Sequence, residues 1–169
     1  MRFGLLALAS SIVLAGCTLP VTTTPAPSTA PAPTTVGSTE SRIFRLVNAE
    51  RRRQGLSDLV YNPQLDRMAR IQAQNMAHFQ KMAHVIPEAT LPRLTDRAHE
   101  AGYLYSRLAE NVALGYPNAE TVVQGWMASR AHRANILNRD LEETGIAIAR
   151  SAAGGLYYCQ VFGRRMVSF

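Results

Sequence analysis

Four polar side chains stand where the sequence pattern predicts the ends of helices or strands: His84, Glu110, His132 and Glu143. Each has small residues or a turn signal beside it, so each could project into an open groove instead of a core. Imidazole and carboxylate groups exchange protons and bind divalent metals in many protein sites. The spacing alone does not show that the four meet, because the two histidines are 48 residues apart, unlike those of the H-E-x-x-H pattern.

Each of these residues also has an ordinary structural interpretation. His84 could cap the carbonyl end of the preceding helix, and Glu110 could form a turn with the asparagine that follows it. His132 could be a surface residue in the first turn of a helix. The preceding glutamate, Glu142, could be the site residue instead. Glu143 is preferred because it directly precedes a predicted strand.

The other residues with reactive side chains fit structural roles. His78 and His99 are predicted on solvated helix faces, Trp126 in the core, and Cys159 as a small core residue in a strand. The sequence has no G-x-S-x-G or S-x-x-K pattern, and no serine or cysteine with a base placed by a motif. These observations argue against a hydrolase with a serine or cysteine nucleophile.

The first seventeen residues resemble the signal of a bacterial lipoprotein. Arg2 precedes an apolar run over 3–14, and Leu14-Ala15-Gly16-Cys17 closes it as a lipobox does. The run is too short to span about 30 Å of hydrocarbon, so we expect residues 1–16 to be removed and Cys17 to carry lipid. An ordinary secretory signal cut near Ala15 is the alternative. Thr18 is not acidic, which favours the outer membrane in a cell that has one.

The mature chain is predicted to consist of a tether and one domain. Residues 17–39 hold five prolines among Thr, Ser and Ala, and an extended tether of about 3.1 Å per residue could reach well into the envelope. Residues 40–169 are numerous enough for a single core. The mature chain has 17 basic and 12 acidic side chains, a net charge of +5. The basic residues are scattered without an aromatic ladder, so nucleic acid is not expected as a partner, and anionic lipid or wall polymer is the alternative to solvated arginines.

Periodicity predicts an α+β domain. Helices are expected over about 40–53, 62–82, 92–101, 117–129 and 130–137, with Ser38 or Thr39, Asn62 and Ser129 as caps. Strands are expected over 108–113, 144–149 and 156–162, the last two joined by a hairpin turn at 152–155. The expected arrangement is a small antiparallel sheet with helices packed on it.

Read together, several motifs of the domain resemble the CAP superfamily, the SCP-like group of secreted domains, in its bacterial form. The motifs are LVNAER (46–51), AH (83–84), AGY (101–103), AENVA (109–113), WMAS (126–129), HRANIL (132–137), ETGI (143–146) and QVFG (160–163). The resemblance implies an α/β/α sandwich with a cleft in which two histidines face two acidic residues. In this chain those positions are His84, Glu110, His132 and Glu143. The chain departs from the family at Ala109, where glycine is common, and in the apolar loop after His84.

The resemblance therefore implies a cleft that could hold zinc or another divalent metal. His84 and His132 would be the metal ligands, with one carboxylate as a further ligand and the other as an orienter or base. We expect an envelope-anchored binding module for a small ligand, lipid, peptide or wall fragment. The alternatives are a metal- or His/Glu-assisted hydrolase and a purely structural role, because a fold does not fix a function. The expected location is extracytoplasmic, on a membrane.

Overall fold

The structure, a computed structural model, describes residues 38–166 of the chain. The predicted signal peptide, the predicted lipidation site Cys17 and the predicted tether up to residue 37 lie outside the described residues. Within 38–166, no helix combines the length and the apolar character that crossing a membrane requires.

Five helices and four strands make up the described part of the chain. In chain order they are α1 (Thr39–Arg53), β1 (Val60–Tyr61), α2 (Pro63–Phe79), α3 (Leu94–Glu100), β2 (Tyr105–Leu114), α4 (Ala119–Ala128), α5 (Arg130–Ile136), β3 (Glu143–Arg150) and β4 (Leu156–Arg165). Every predicted helix and strand is present, and β1 is an addition. It was missed because two residues carry no periodic signal.

Side-chain caps fix where most of the helices begin. Ser38, Asn62 and Asn118 each accept a hydrogen bond from a backbone N–H in the first turn of α1, α2 and α4. Ser129 occupies the predicted cap position of α5, although its side chain makes no capping hydrogen bond.

Helix α2 ends at Phe79, three residues before the predicted end at Met82. Gln80 adopts a left-handed conformation with φ of 50°, and its N–H bonds to Met76 O, which stops the helix. The sequence did not reveal this helix end, because the residue that takes the left-handed conformation is usually glycine. The chain that follows is anchored by Ile86, whose side chain is fully buried.

The four strands form one sheet in the order β1-β3-β4-β2. The strand pairs β2–β4 and β3–β4 are antiparallel, as predicted, whereas β1 runs parallel to β3. The sheet is therefore mixed, which corrects the prediction of an antiparallel sheet. Glu110 on β2 lies opposite Val161 on β4, which lies opposite Gly145 on β3.

Helices cover both faces of the sheet. Helices α2 and α3 enclose one apolar core, and α1 and α4 enclose the other, which also buries Trp126. Helix α2 approaches β3 so closely that a Cβ on Gly145 would overlap the backbone of Leu65 and Asp66. The α/β/α sandwich implied by the resemblance is confirmed.

Candidate functional site

The site is built around the buried carboxylate of Glu110. Only 3% of this side chain is exposed. Arg97 donates a hydrogen bond from Nη2 to Oε2 over 2.5 Å, and Nδ1 of His84 lies 2.9 Å from Oε1. Both carboxylate oxygens are therefore engaged, one by a buried cation and the other by an imidazole.

Arg97 is the member of this group that sequence analysis missed. Its side chain is fully buried, and Nη1 makes long hydrogen bonds of 3.4 Å to the carbonyls of Leu91 and Pro92. We predicted the arginines to be solvated as a class, and burial of Arg97 corrects this. The sequence did contain a sign of this burial. Arg97 shares a helical face with Leu94 and Ala98, which pack in the core.

His84 is held in place by the loop that carries it. The Gln72 side chain of α2 donates to the carbonyl of Ala83 over 2.5 Å, and the buried Ile86 anchors the other side. The His84 side chain is 56% exposed. Because Nδ1–H donates to the Glu110 carboxylate, the neutral ring keeps the Nε2 lone pair free for a ligand. The hydrogen bond with Glu110 raises the pKa of His84 above its usual value, although burial opposes it.

His132 reaches the site from α5. Asn111 and Asn135 fix this helix on β2: Asn111 donates to the carbonyl of His132 over 3.2 Å, and Asn135 donates to the side-chain oxygen of Asn111 over 2.9 Å. Burial lowers the pKa of His132, and the charge of His84 lowers it further.

Glu143 does not join this group. It accepts hydrogen bonds from Asn62 (2.9 Å) and Tyr103 (2.6 Å), and Arg165 Nε lies 3.4 Å from Oε2. Strand β4 separates β3 from β2, which puts the Cα atoms of Glu143 and Glu110 about 12 Å apart by strand spacing. Sequence could not reveal this, because strand order is not a local property. Burial and the Glu143 hydrogen bond together raise the pKa of Tyr103.

Cys159 lies beneath the site as a core residue, as predicted. It is fully buried, with Sγ 3.5 Å from Glu110 Oε2. Burial first, and then the negative charge of Glu110, hold the pKa of its thiol well above the usual value. A buried neutral thiol is a poor nucleophile.

Two cavities lie along β2. One, beside the strand residues that precede Glu110, has a volume of about 490 Å³. This cavity is lined by Leu94, Thr95, residues 105–109, Asn135, Asn138 and Leu141. On the other side lies a cavity of about 240 Å³, lined by apolar residues that include Met82, Val112 and Trp126, with His132 at its rim.

A metal at this site could draw on at most two of the predicted protein ligands. Within 38–166 no cluster of three or more His, Cys, Asp and Glu side chains is placed to hold a metal ion. The oxygens of Glu110 are taken by Arg97 and His84, so Glu110 fits the role of orienter, the part that carboxylates play behind metal-binding histidines. His84 and His132 would be the two protein ligands, and water or a bound ligand would supply the rest.

The chain is similar in sequence to two known bacterial proteins. The chain is 33% identical to YkwD of Bacillus subtilis strain 168 over 145 residues, 86% of this chain and 55% of the relative. It is 28% identical to the membrane protein YlbC of the same organism over 128 residues, 76% of this chain and 35% of the relative. The chain thus spans about half and about a third of the lengths of these two proteins.

The fold and the family agree. The crystal structure of an extracellular protein containing a SCP domain from Bacillus anthracis superposes with a TM-score of 0.69 at 28% identity, covering 75% of this chain and 40% of that one. An outer surface protein from Borrelia burgdorferi shares the fold with a TM-score of 0.69 at 18% identity, over 76% and 93% of the two chains. The sequence pattern described as CAP, cysteine-rich secretory protein family, matches residues 44–162. With the sandwich fold and this match over most of its length, the chain belongs to the CAP family.

Proposed function

We propose that this protein is an extracytoplasmic, lipid-anchored binding module whose ligand is held by His84 and His132. One observation carries the choice of binding over hydrolysis: both oxygens of Glu110 are engaged, so the carboxylate orients His84 and is not free to accept a proton from water. The ligand is a divalent metal or a small molecule that the two imidazoles recognise. A divalent metal bound there would supply a Lewis acid.

The location rests on the N-terminal sequence and on relatives. The lipobox-like residues before Cys17 support export and lipidation. The Bacillus anthracis protein is described as extracellular, and the family as secretory. We infer an anchor on the outer face of a bacterial cytoplasmic membrane, or on an outer membrane where the cell has one.

A metal-assisted or His/Glu-assisted hydrolase is the alternative. The 2.9 Å contact between His84 and Glu110 favours it, because a histidine base is commonly oriented by a carboxylate. Cys159, the cysteine of the described residues, is buried and therefore a poor nucleophile for this pair. Zinc binding, stability and turnover of variants at these positions separate the two functions.

Zinc titration of the mature chain carrying Cys17→Ser tests the site. We expect about one zinc ion per chain, lost in the His84→Ala, His132→Ala double variant. Affinity should fall on acidification, because only the neutral imidazole binds metal. Since the pKa of His84 is raised, proton competition should begin above the usual pKa of about 6.5.

The matched control is the His78→Ala, His99→Ala double variant, which removes two exposed histidines outside the site. It should bind zinc as the parent does. Equal zinc binding by the His84, His132 double variant and the parent would contradict the assignment.

Anchoring is tested by detergent partition. Mature protein from the native host should enter the detergent phase, and Cys17→Ser should move it to the aqueous phase or stall its processing, because the acyl chains supply the membrane affinity. Cys159→Ala removes the other cysteine and should leave partition unchanged. Unacylated wild-type protein in the soluble fraction would rule out the anchor.

A further inference from the structure

Exposed apolar side chains cluster at one place on the surface of the domain. Met82, Val85 and Leu114 are 51%, 45% and 41% exposed. Met82 and Leu114 line the same cavity of about 240 Å³, and Val85 lies three residues from Met82 in the loop that carries His84. We call Met82, Val85 and Leu114 the apolar patch. Single exposed apolar residues are ordinary, whereas a cluster of them marks a surface that contacts a membrane or another molecule.

The loop of the apolar patch is anchored from beneath. Gln72 donates to the carbonyl of Ala83 over 2.5 Å, and the side chain of Ile86 is fully buried. These two anchors lie on either side of His84, so the loop holds Met82 and Val85 at the surface. The apolar patch is therefore formed before anything binds to it, which lowers the entropic cost of an interaction there.

Two arginines beside the apolar patch carry charge that the described residues do not neutralise. Arg130 follows Ser129 and Arg133 follows His132, and both Ser129 and His132 line the cavity of the patch. Both arginines are exposed, and neither forms an ion pair within residues 38–166. We call them the arginine pair. Arginine keeps its charge at every physiological pH, so this charge does not depend on the titration of the histidines.

The carboxylates on the segments that border the cavity are already engaged. Glu88 pairs with Lys81 over 3.8 Å, and Glu120 pairs with Arg42 over 2.7 Å. Glu110 is buried and engaged by the site, as described above. The surface around the apolar patch is therefore apolar and positive, which is complementary to a bilayer with anionic headgroups.

The chain enters the domain beside the same region. Arg42, near the start of α1, contacts Glu120 at the start of α4, and α4 follows Tyr116, which lines the cavity of the patch. A lipid on Cys17 would be joined to this end of the domain by residues 18–37. At about 3.1 Å per residue, that segment reaches at most about 65 Å, so the apolar patch would stay close to one bilayer.

We propose that the apolar patch docks the domain on the anionic surface of the membrane to which the chain is tethered. Its three side chains enter the boundary between headgroups and acyl chains, and the arginine pair contacts lipid phosphates. The inference takes its membrane from the proposed lipid anchor, because the tether supplies a high local concentration of bilayer. Since His132 lines the cavity of the patch, docking holds the histidine site at the membrane surface.

Vesicle flotation of the mature chain carrying Cys17→Ser tests docking without the anchor. The probes are phosphatidylcholine vesicles with and without one third of phosphatidylglycerol. We expect at least about tenfold tighter binding to the anionic vesicles, because each arginine gains energy near a negative surface. Raising the ionic strength should weaken this binding, since salt screens the attraction. Equal binding to both kinds of vesicle would overturn the proposal.

The Met82→Ser, Val85→Ser double variant tests the apolar contribution. It should bind anionic vesicles about tenfold or more weakly than the parent, because it removes the apolar groups that enter the bilayer. The matched control is the Val60→Ser, Leu104→Ser double variant, which changes two exposed apolar residues outside the patch and should bind as the parent does. Thermal unfolding checks that both variants are folded. Equal binding of the patch variant and the parent would contradict the proposal.

The arginine pair is tested in the same assay. The Arg130→Gln, Arg133→Gln double variant should lose most of the preference for anionic vesicles. Arg45→Gln with Arg139→Gln is the control, because both of these arginines are also exposed and without an ion pair within residues 38–166. If the control variant loses the preference as much as the arginine-pair variant does, the charge acts over the whole surface and the docking site is wrong.

Trp126 locates the patch in the bilayer. It is the only tryptophan of the chain and lines the same cavity as Met82 and Leu114. Vesicles with brominated acyl chains should quench its fluorescence in the parent and not in the Met82→Ser, Val85→Ser variant, because bromine quenches at short range. Flotation without quenching would show that another surface binds the vesicles, which overturns the proposal.

Failure of docking is distinct from failure of the anchor. If detergent partition requires Cys17 and the Cys17→Ser chain binds no vesicles, the docking surface is wrong and the anchored module stands. If vesicles bind as expected while partition does not depend on Cys17, the anchor is wrong and the docking surface stands. A concentration-dependent dimer in sedimentation velocity, lost in the Met82→Ser, Val85→Ser variant and accompanied by no vesicle binding, would show that a second copy covers the patch and would also overturn the proposal.

Discussion

Glu110→Gln is expected to lower the free energy of unfolding by about 3–5 kcal/mol at pH 7, because it leaves the fully buried Arg97 without a counter-ion. Glutamine keeps the shape of the glutamate side chain and removes its charge, so the loss in the free energy of unfolding measures the effect of breaking the ion pair. Urea unfolding of the variant and the parent measures it. Glu100→Gln is the matched control: its pair with Arg67 is exposed, and the change should cost less than about 1 kcal/mol.

A double-mutant cycle makes this test specific. Arg97→Met combined with Glu110→Gln should destabilise less than the sum of the single changes, because the combined variant leaves no unpaired charge. A hydrolase predicts an additional result. If His84 acts as the base, loss of the Glu110 carboxylate that orients it should also reduce turnover on a peptide, ester or wall-fragment substrate, by about 10²–10⁴-fold. Metal-dependent turnover lost in a stably folded Glu110→Gln variant would contradict the binding-module account.

Arg51→Lys is expected to lower the free energy of unfolding by about 3 kcal/mol or more, since a lysine cannot replace the guanidinium fork. Only 2% of Arg51 is exposed. Its guanidinium donates to the carbonyls of Ser57 (2.8 Å), Ile136 (2.8 Å), Asn138 (2.9 Å) and Leu141 (3.2 Å). Two of these carbonyls stand at the end of α5, so Arg51 ties α1 to the helix that carries His132.

The neighbouring Arg52 provides the control for this substitution. It is exposed and, within residues 38–166, forms its ion pair with Asp58, so Arg52→Lys should change stability by less than about 0.5 kcal/mol. Thermal and urea unfolding compare the two variants. Similar stabilities for Arg51→Lys and Arg52→Lys would show that the buried fork does not carry the expected stabilisation.

The fold was largely predictable because local signals mark its elements. Ser38 and Asn118 are polar residues that directly precede apolar helical patterns, and both cap their helices. The Asn62–Pro63 step begins α2. The end of α2 was not predictable, because the residue in the left-handed conformation at a helix end is usually glycine, and here it is Gln80. Strand β1 is too short to carry a pattern.

The site was predictable only in part. His84 and Glu110 meet as the family resemblance implies, and the charge of His84 adds to burial in lowering the pKa of His132. Glu143 was expected with them and lies two strands away, because pairing order depends on the whole chain. Arg97 was overlooked because arginine is rarely buried without a partner, and its partner, Glu110, comes from a different element.

The most direct test of the central claim is an NMR titration of the four imidazoles, with and without zinc, in the mature chain carrying Cys17→Ser. Without metal, His84 should titrate above the usual pKa and His132 below it. Zinc should shift only these two residues, and His84 should keep its proton on Nδ1, bonded to Glu110, while Nε2 binds the metal. If zinc instead shifts His78 and His99 as much as His84 and His132, or leaves His84 unchanged, the account of an oriented histidine site is wrong.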